Sequence, residues 1–132
     1  MKEILIKWEP IKNSNGKYFI SSVELGREGL IVELYDLHNK NKKIKIWVDG
    51  YTSCYRSIDN NYCAKRCNAS TIKNCLHAEW PFFIVENSNY FKWFYEQSLE
   101  TTSEAEFKHF LIVGTNKTIE ILNYFDPKVE LL

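Results

Sequence analysis

The first fifty residues of the chain alternate between apolar and polar positions, with polar turns marking the breaks. Lys2 to Trp8 alternates weakly, with Ile4, Ile6 and Trp8 on one side, and predicts a first strand. Asn13-Ser-Asn-Gly-Lys17 is a turn. Tyr18 to Leu25 then predicts a strand, and Gly26-Arg-Glu-Gly29 a tight reversal. Leu30 to Leu37 sets Leu30, Val32 and Leu34 opposite Ile31, Glu33 and Tyr35. After Asn39-Lys-Asn-Lys42, the stretch Lys43 to Val48 sets Ile44, Ile46 and Val48 opposite Lys43, Lys45 and Trp47. Three short strands joined by tight polar turns predict an antiparallel meander.

The second half changes character. Tyr51 to Arg56 extends the strand pattern, and Asp59 to Lys73 reads as a short helix or a loop. Phe82 to Glu86 is β-branched and aromatic without Gly or Pro, as a strand requires. Asn87 and Ser88 follow with side-chain oxygens suited to accept from the free N–H groups of a helix start. From Asn89 to about Leu99 a helix is expected, carrying Tyr90, Phe91, Trp93, Phe94 and Tyr95. A step of about 100° per residue puts Asn89, Lys92 and Glu96 on one narrow stripe facing solvent, and spreads Tyr90, Phe91, Phe94 and Tyr95 over a wide arc facing a core. Phe107 to Gly114 is nearly continuously apolar and predicts a central strand covered on both faces. Thr118 to Asn123 reads as a last strand or a short helix, ended by Pro127. The expected fold is α+β: one antiparallel β-sheet with one main aromatic-rich helix packed on it, with residues 1–132 as a single domain.

Composition supports a packed core, since apolar residues make up 45% and aromatic residues 15% of 132 positions. No apolar run approaches the length of a membrane span. Met1 to Glu9 lacks the apolar stretch and cleavage site of a secretory leader, so the expected compartment is the cytoplasm. The net charge is zero, but charge is unevenly placed along the chain. Residues 40–73 hold eight Lys/Arg and two acids, whereas residues 74–132 hold four Lys and nine acids. A basic middle therefore precedes an acidic end.

Three constellations bear on chemistry. Cys54, Cys63, Cys67 and Cys75, with His77, follow the spacing C-x8-C-x3-C-x7-C-x-H. They supply the sulfur and nitrogen donors of a tetrahedral zinc site but lack the C-x2-C or C-x4-C knuckles usual for one, and scattered reduced thiols are the favoured reading. The basic middle interleaves Tyr51, Tyr55 and Tyr62 with Lys and Arg, so the alternative function is a small zinc-stabilised nucleic-acid-binding domain; a neutral chain outside the known RNA-binding motifs makes nucleic acid the lesser expectation. For catalysis the histidines are His38, His77 and His109. The chain has no Gly-rich phosphate loop, no H-E-x-x-H and no G-x-S-x-G, and His109, inside a predicted strand, reads as a hydrogen-bonded structural residue. A non-enzyme without cofactor is expected.

Two segments, Pro81-Phe-Phe-Ile-Val-Glu-Asn-Ser-Asn-Tyr-Phe-Lys-Trp-Phe-Tyr-Glu-Gln-Ser98 and His109-Phe-Leu-Ile-Val-Gly-Thr-Asn-Lys-Thr-Ile-Glu-Ile-Leu-Asn-Tyr-Phe-Asp-Pro127, together with Tyr55-Arg-Ser-Ile-Asp59, carry a resemblance. They resemble immunity proteins of bacterial contact-dependent inhibition and related polymorphic toxin systems. The resemblance covers about the C-terminal half and does not include the cysteine group. It implies a non-catalytic protein that binds a cognate toxin domain in the cytoplasm and blocks it. Where that toxin is a nuclease with a basic groove, an acidic surface speeds encounter, and Glu96, Glu100, Glu104 and Glu106 are the best-placed acids.

Overall fold

A computed structural model of the chain describes residues 3–49, 54–60, 79–98 and 107–132. Nine strands and one helix lie in these segments, in the order β1 (Ile4–Lys7), β2 (Tyr18–Gly26), β3 (Gly29–Asp36), β4 (Lys43–Asp49), β5 (Cys54–Asp59), β6 (Phe82–Glu86), α1 (Asn89–Gln97), β7 (Lys108–Val113), β8 (Lys117–Asn123) and β9 (Lys128–Leu131). The strands divide between two sheets, where the alternation alone suggested one. The expected meander forms β2, β3 and β4, joined at its edge by β9 in the order β2-β3-β4-β9. The second sheet runs β1-β6-β7-β8-β5, and every neighbouring pair in both sheets is antiparallel.

The described part of the stretch from Tyr51 to Arg56, residues 54–56, therefore does not extend the meander. It belongs to β5, which crosses to the other sheet and pairs with β8, setting Cys54 opposite Leu122 and Arg56 opposite Glu120. The chain also does not end its structure at Pro127. The four residues of β9 follow it and pair with β4, and Val129 packs against the main core. So short a strand, largely exposed, carries too little alternation to register in sequence.

Period-two patterning explains how the sheets meet. Tyr18, Ile20, Leu30, Val32, Leu34, Ile44, Ile46 and Val48 from one sheet share a buried cluster with Phe82, Phe110, Ile112, Ile119 and Ile121 from the other. Burying a side chain of this size stabilises by about 1.5–3 kcal/mol, so this cluster dominates the fold. As its apolar run predicted, β7 is central, with β6 and β8 on either side and Phe110 to Val113 buried.

The turn between β7 and β8 joins the two sheets. The Asn116 side chain accepts from the Ile20 N–H (3.0 Å) and donates to the Ile20 carbonyl (2.9 Å), while the Thr115 N–H donates to the Tyr18 carbonyl (2.8 Å). An amide side chain thus stands where a neighbouring strand would, and blunts part of the β2 edge. This approach is close: a Cβ on Gly114 would lie 2.8 Å from Cγ1 of Ile20. Position 114 accordingly excludes larger residues on packing grounds.

Candidate functional site

The second face of the five-stranded sheet carries Arg56, His109, Glu120 and Leu122 on adjacent strands. From β6 the chain turns and enters α1. Asn87 has φ of 56°, in the left-handed region that Asn tolerates, and Ser88 is the helix N-cap. The Ser88 hydroxyl accepts from the Phe91 N–H at 2.9 Å, as the sequence predicted. The expected stripe of Asn89, Lys92 and Glu96 is exposed, while Tyr90 and Phe91 are buried with Phe107 and Leu122, and Cys54, Phe94 and Tyr95 pack against that cluster.

From the cap, a chain of polar groups runs across the sheet. Ser88 Oγ lies 2.6 Å from His109 Nδ1, and His109 Nε2 lies 2.9 Å from Glu120 Oε1. The other Glu120 oxygen accepts from Arg56 Nε at 2.5 Å. The Arg56 guanidinium lies over the Tyr90 ring, 3.9 Å from its centroid, and the Tyr90 hydroxyl meets Cys54 Sγ at 3.0 Å. One protonation pattern satisfies the buried part. The Glu120 carboxylate can only accept, so Nε2 carries a proton; Nδ1 then accepts from the Ser88 hydroxyl, which still accepts from Phe91.

The electrostatics follow from burial. The Glu120 side chain is 3% exposed and that of Arg56 47% exposed, so the carboxylate sits beneath the guanidinium. Burial alone would lower the Arg56 pKa, but the hydrogen bond and charge of Glu120 carry it above its ordinary value. The Tyr90 phenol is pushed well above the usual tyrosine range, first by burial and then by its bond to Cys54.

A serine, a histidine and a glutamate in sequence is also the order of a nucleophile, a base and its orienting carboxylate. Two features distinguish this set. The serine oxygen is committed to the helix cap and buried, and the glutamate shares its charge with Arg56. Ser88 thus bonds both the first turn of α1 and His109 on β7.

On the outer side of this chain lies an open cleft of about 390 Å³, lined by Cys54, Tyr55, Arg56, Tyr90 and Trp93. Trp93 is 52% exposed and stacks on Tyr90, with ring centroids 6.0 Å apart at 20°. One turn further along α1, the exposed Glu96 lies on the same side of the molecule's surface as a polar margin. Of the acids expected at the partner surface, Glu96 is thus exposed on α1, while Glu100, Glu104 and Glu106 lie outside the described residues. Of the alternative metal set, Cys54 is engaged with Tyr90, and Cys63, Cys67, Cys75 and His77 lie outside the described residues. Among the described residues, no group of three side chains of metal-binding type comes together. No helix among them is long and apolar enough to cross a membrane.

The sequence reading placed His109 correctly as a hydrogen-bonded strand residue but did not find Arg56, Tyr90, Trp93 and Glu120 as a group. The available signal was Glu120 flanked by Ile119 and Ile121: a charge amid a buried strand demands a partner, and Arg56 stands opposite it in register. In comparisons with protein families, curated proteins and solved structures, the chain matches no family model, no curated protein and no solved structure.

Proposed function

We propose that the chain is a non-catalytic immunity protein that binds a cognate toxin domain in the bacterial cytoplasm and blocks its action. In this reading the aromatic helix α1 rests on the five-stranded sheet through Tyr90 and Phe91, and turns Trp93 and Glu96 toward the partner. The observation that carries it is Trp93, half exposed beside Arg56 and Tyr55. Trp, Tyr and Arg are the residue types that most often anchor protein interfaces. The anchors are rigidly held: Arg56 by Glu120 and Tyr90, and Trp93 by stacking on Tyr90. Little side-chain entropy is then lost on association. Asn89, Lys92 and Glu96 supply the polar rim around such an anchor.

Expression of the toxin encoded beside this gene is expected to arrest growth. Co-expression of this chain is expected to restore growth and to yield a complex that co-purifies. A neighbouring product that is harmless, or that does not bind this chain, removes the proposal.

A further inference from the structure

We infer that the partner places a carboxylate side chain in the cleft against Arg56 and covers Trp93 with a neighbouring apolar side chain. This rests on the protein-binding reading above and names the chemistry of the partner at that site. The cleft lining among the described residues contains one charged side chain, Arg56. Its Nε donor is already taken by Glu120, which is buried beneath it, while the Arg56 side chain stays 47% exposed. An approaching anion meets a half-exposed cation whose acidic neighbours are Glu120, buried beneath it, and Glu3. The guanidinium plane is fixed at two points, by Glu120 and by the Tyr90 ring 3.9 Å away, which suits a planar carboxylate taken by paired N–H donors. The Trp93 ring borders the same cleft and offers apolar area next to that charge.

Two features favour a protein's carboxylate over a small molecule's. The cleft is open, whereas small-ligand sites commonly enclose about 70–90% of their ligand. Only a macromolecule that covers both Trp93 and the rim of Lys92 and Glu96 would exclude water from the ion pair, which is where such a pair gains strength. The site also disfavours a basic side chain, which would face the guanidinium directly.

The cleft is tested first with two short peptides, acetyl-Phe-Asp-Phe-amide and acetyl-Phe-Asn-Phe-amide. They are titrated into the isotopically labelled protein while the Arg56 Nε–H and Trp93 indole resonances are followed by NMR. The aspartyl peptide is expected to shift both resonances with a Kd of about 1 mM, and the asparaginyl peptide to bind at least about tenfold more weakly. Arg56→Lys keeps the charge that Glu120 needs, so the protein folds, yet it is expected to weaken the aspartyl peptide about tenfold through loss of the planar fork. Trp93→Ala, at an exposed ring, is expected to weaken both peptides. Equal response to the two peptides, no response of Arg56, or indifference to Arg56→Lys overturns the inference. A second arm uses the adjacent toxin domain: a toxin that binds wild type and both variants with one affinity overturns the cleft assignment and leaves the immunity reading standing. A toxin that fails to bind at all overturns the immunity reading, while the peptides still decide the cleft.

Discussion

Removing the Ser88 hydroxyl tests whether the polar chain beneath α1 holds the helix in place. In Ser88→Ala two hydrogen bonds disappear, the one accepted from the Phe91 N–H at 2.9 Å and the one shared with His109 Nδ1 at 2.6 Å. Loss of a serine cap costs about 1 kcal/mol. His109 is buried, so its orphaned nitrogen adds about 1–3 kcal/mol of unpaid desolvation. The two terms give a loss of about 2–4 kcal/mol, a large share of the stability of a domain this size. Ser88→Gly retains most of the capping propensity but orphans the same nitrogen, and is expected to fall between wild type and Ala. Ser88→Thr keeps the hydroxyl and is expected to lie close to wild type. Urea unfolding followed by tryptophan fluorescence measures this as a lower midpoint at unchanged slope. A loss below about 0.5 kcal/mol in Ser88→Ala would refute the argument, because neither bond would then support the fold. The same variant guards the non-catalytic reading: a fluorophosphonate probe is expected to leave wild type unlabelled, and labelling that Ser88→Ala abolishes would make the serine a nucleophile.

Two further outcomes are expected. The Tyr90 and Tyr18 phenols both titrate above the ordinary value of 10.0, chiefly through burial, so the folded chain holds these protons where the unfolded chain releases them. Stability is therefore full below about pH 10 and falls as pH rises from there toward the folded values, and Tyr90→Phe is expected to reduce that alkaline slope by up to about 1.4 kcal/mol per pH unit in urea titrations; an unchanged slope would show that Tyr90 ionises as readily folded as unfolded. Asn116→Ala removes both bonds to Ile20 and leaves its N–H and carbonyl to find water at a part-buried edge, and is expected to cost about 2–3 kcal/mol by the same measurement, with no effect if water replaces the amide fully.

Much of this architecture is written in local pattern. β2, β3, β4 and β6 stand where alternation and turn residues put them, and Ser88 caps the helix that begins at Asn89. What the pattern could not supply is which strand pairs with which. Alternation says that Cys54 and Arg56 share a face, but not that the face belongs to the sheet of β8 rather than that of β4. Both assignments satisfy the period of two; the choice is made by long-range packing of Tyr55 into the core between the sheets. The candidate site was illegible for the same reason. Its members stand at positions 54–56, 88–93, 109 and 120, and only the sheet order brings them within hydrogen-bonding reach. Trp93 counts among the helix aromatics but is not placed on the arc assigned to the core, and beside Lys92 it is half exposed.

The division between scaffold and surface can be argued from cost. A buried carboxylate is expensive, and replacing a buried ion pair by apolar residues of like volume is often neutral or stabilising. Glu120 and His109 therefore contribute less to net stability than the isoleucines on the opposite face of β8, which fill the core between the sheets at no electrostatic penalty. What Glu120 does supply is direction. It fixes one edge of Arg56, His109 fixes Glu120, and Ser88 ties His109 to the start of the helix that carries Tyr90 and Trp93. Arg56 is thus set by Glu120 on β8 and by the Tyr90 ring on α1, and Trp93 stacks on Tyr90 within α1. In the proposed reading, that arrangement of guanidinium and indole is what the partner meets.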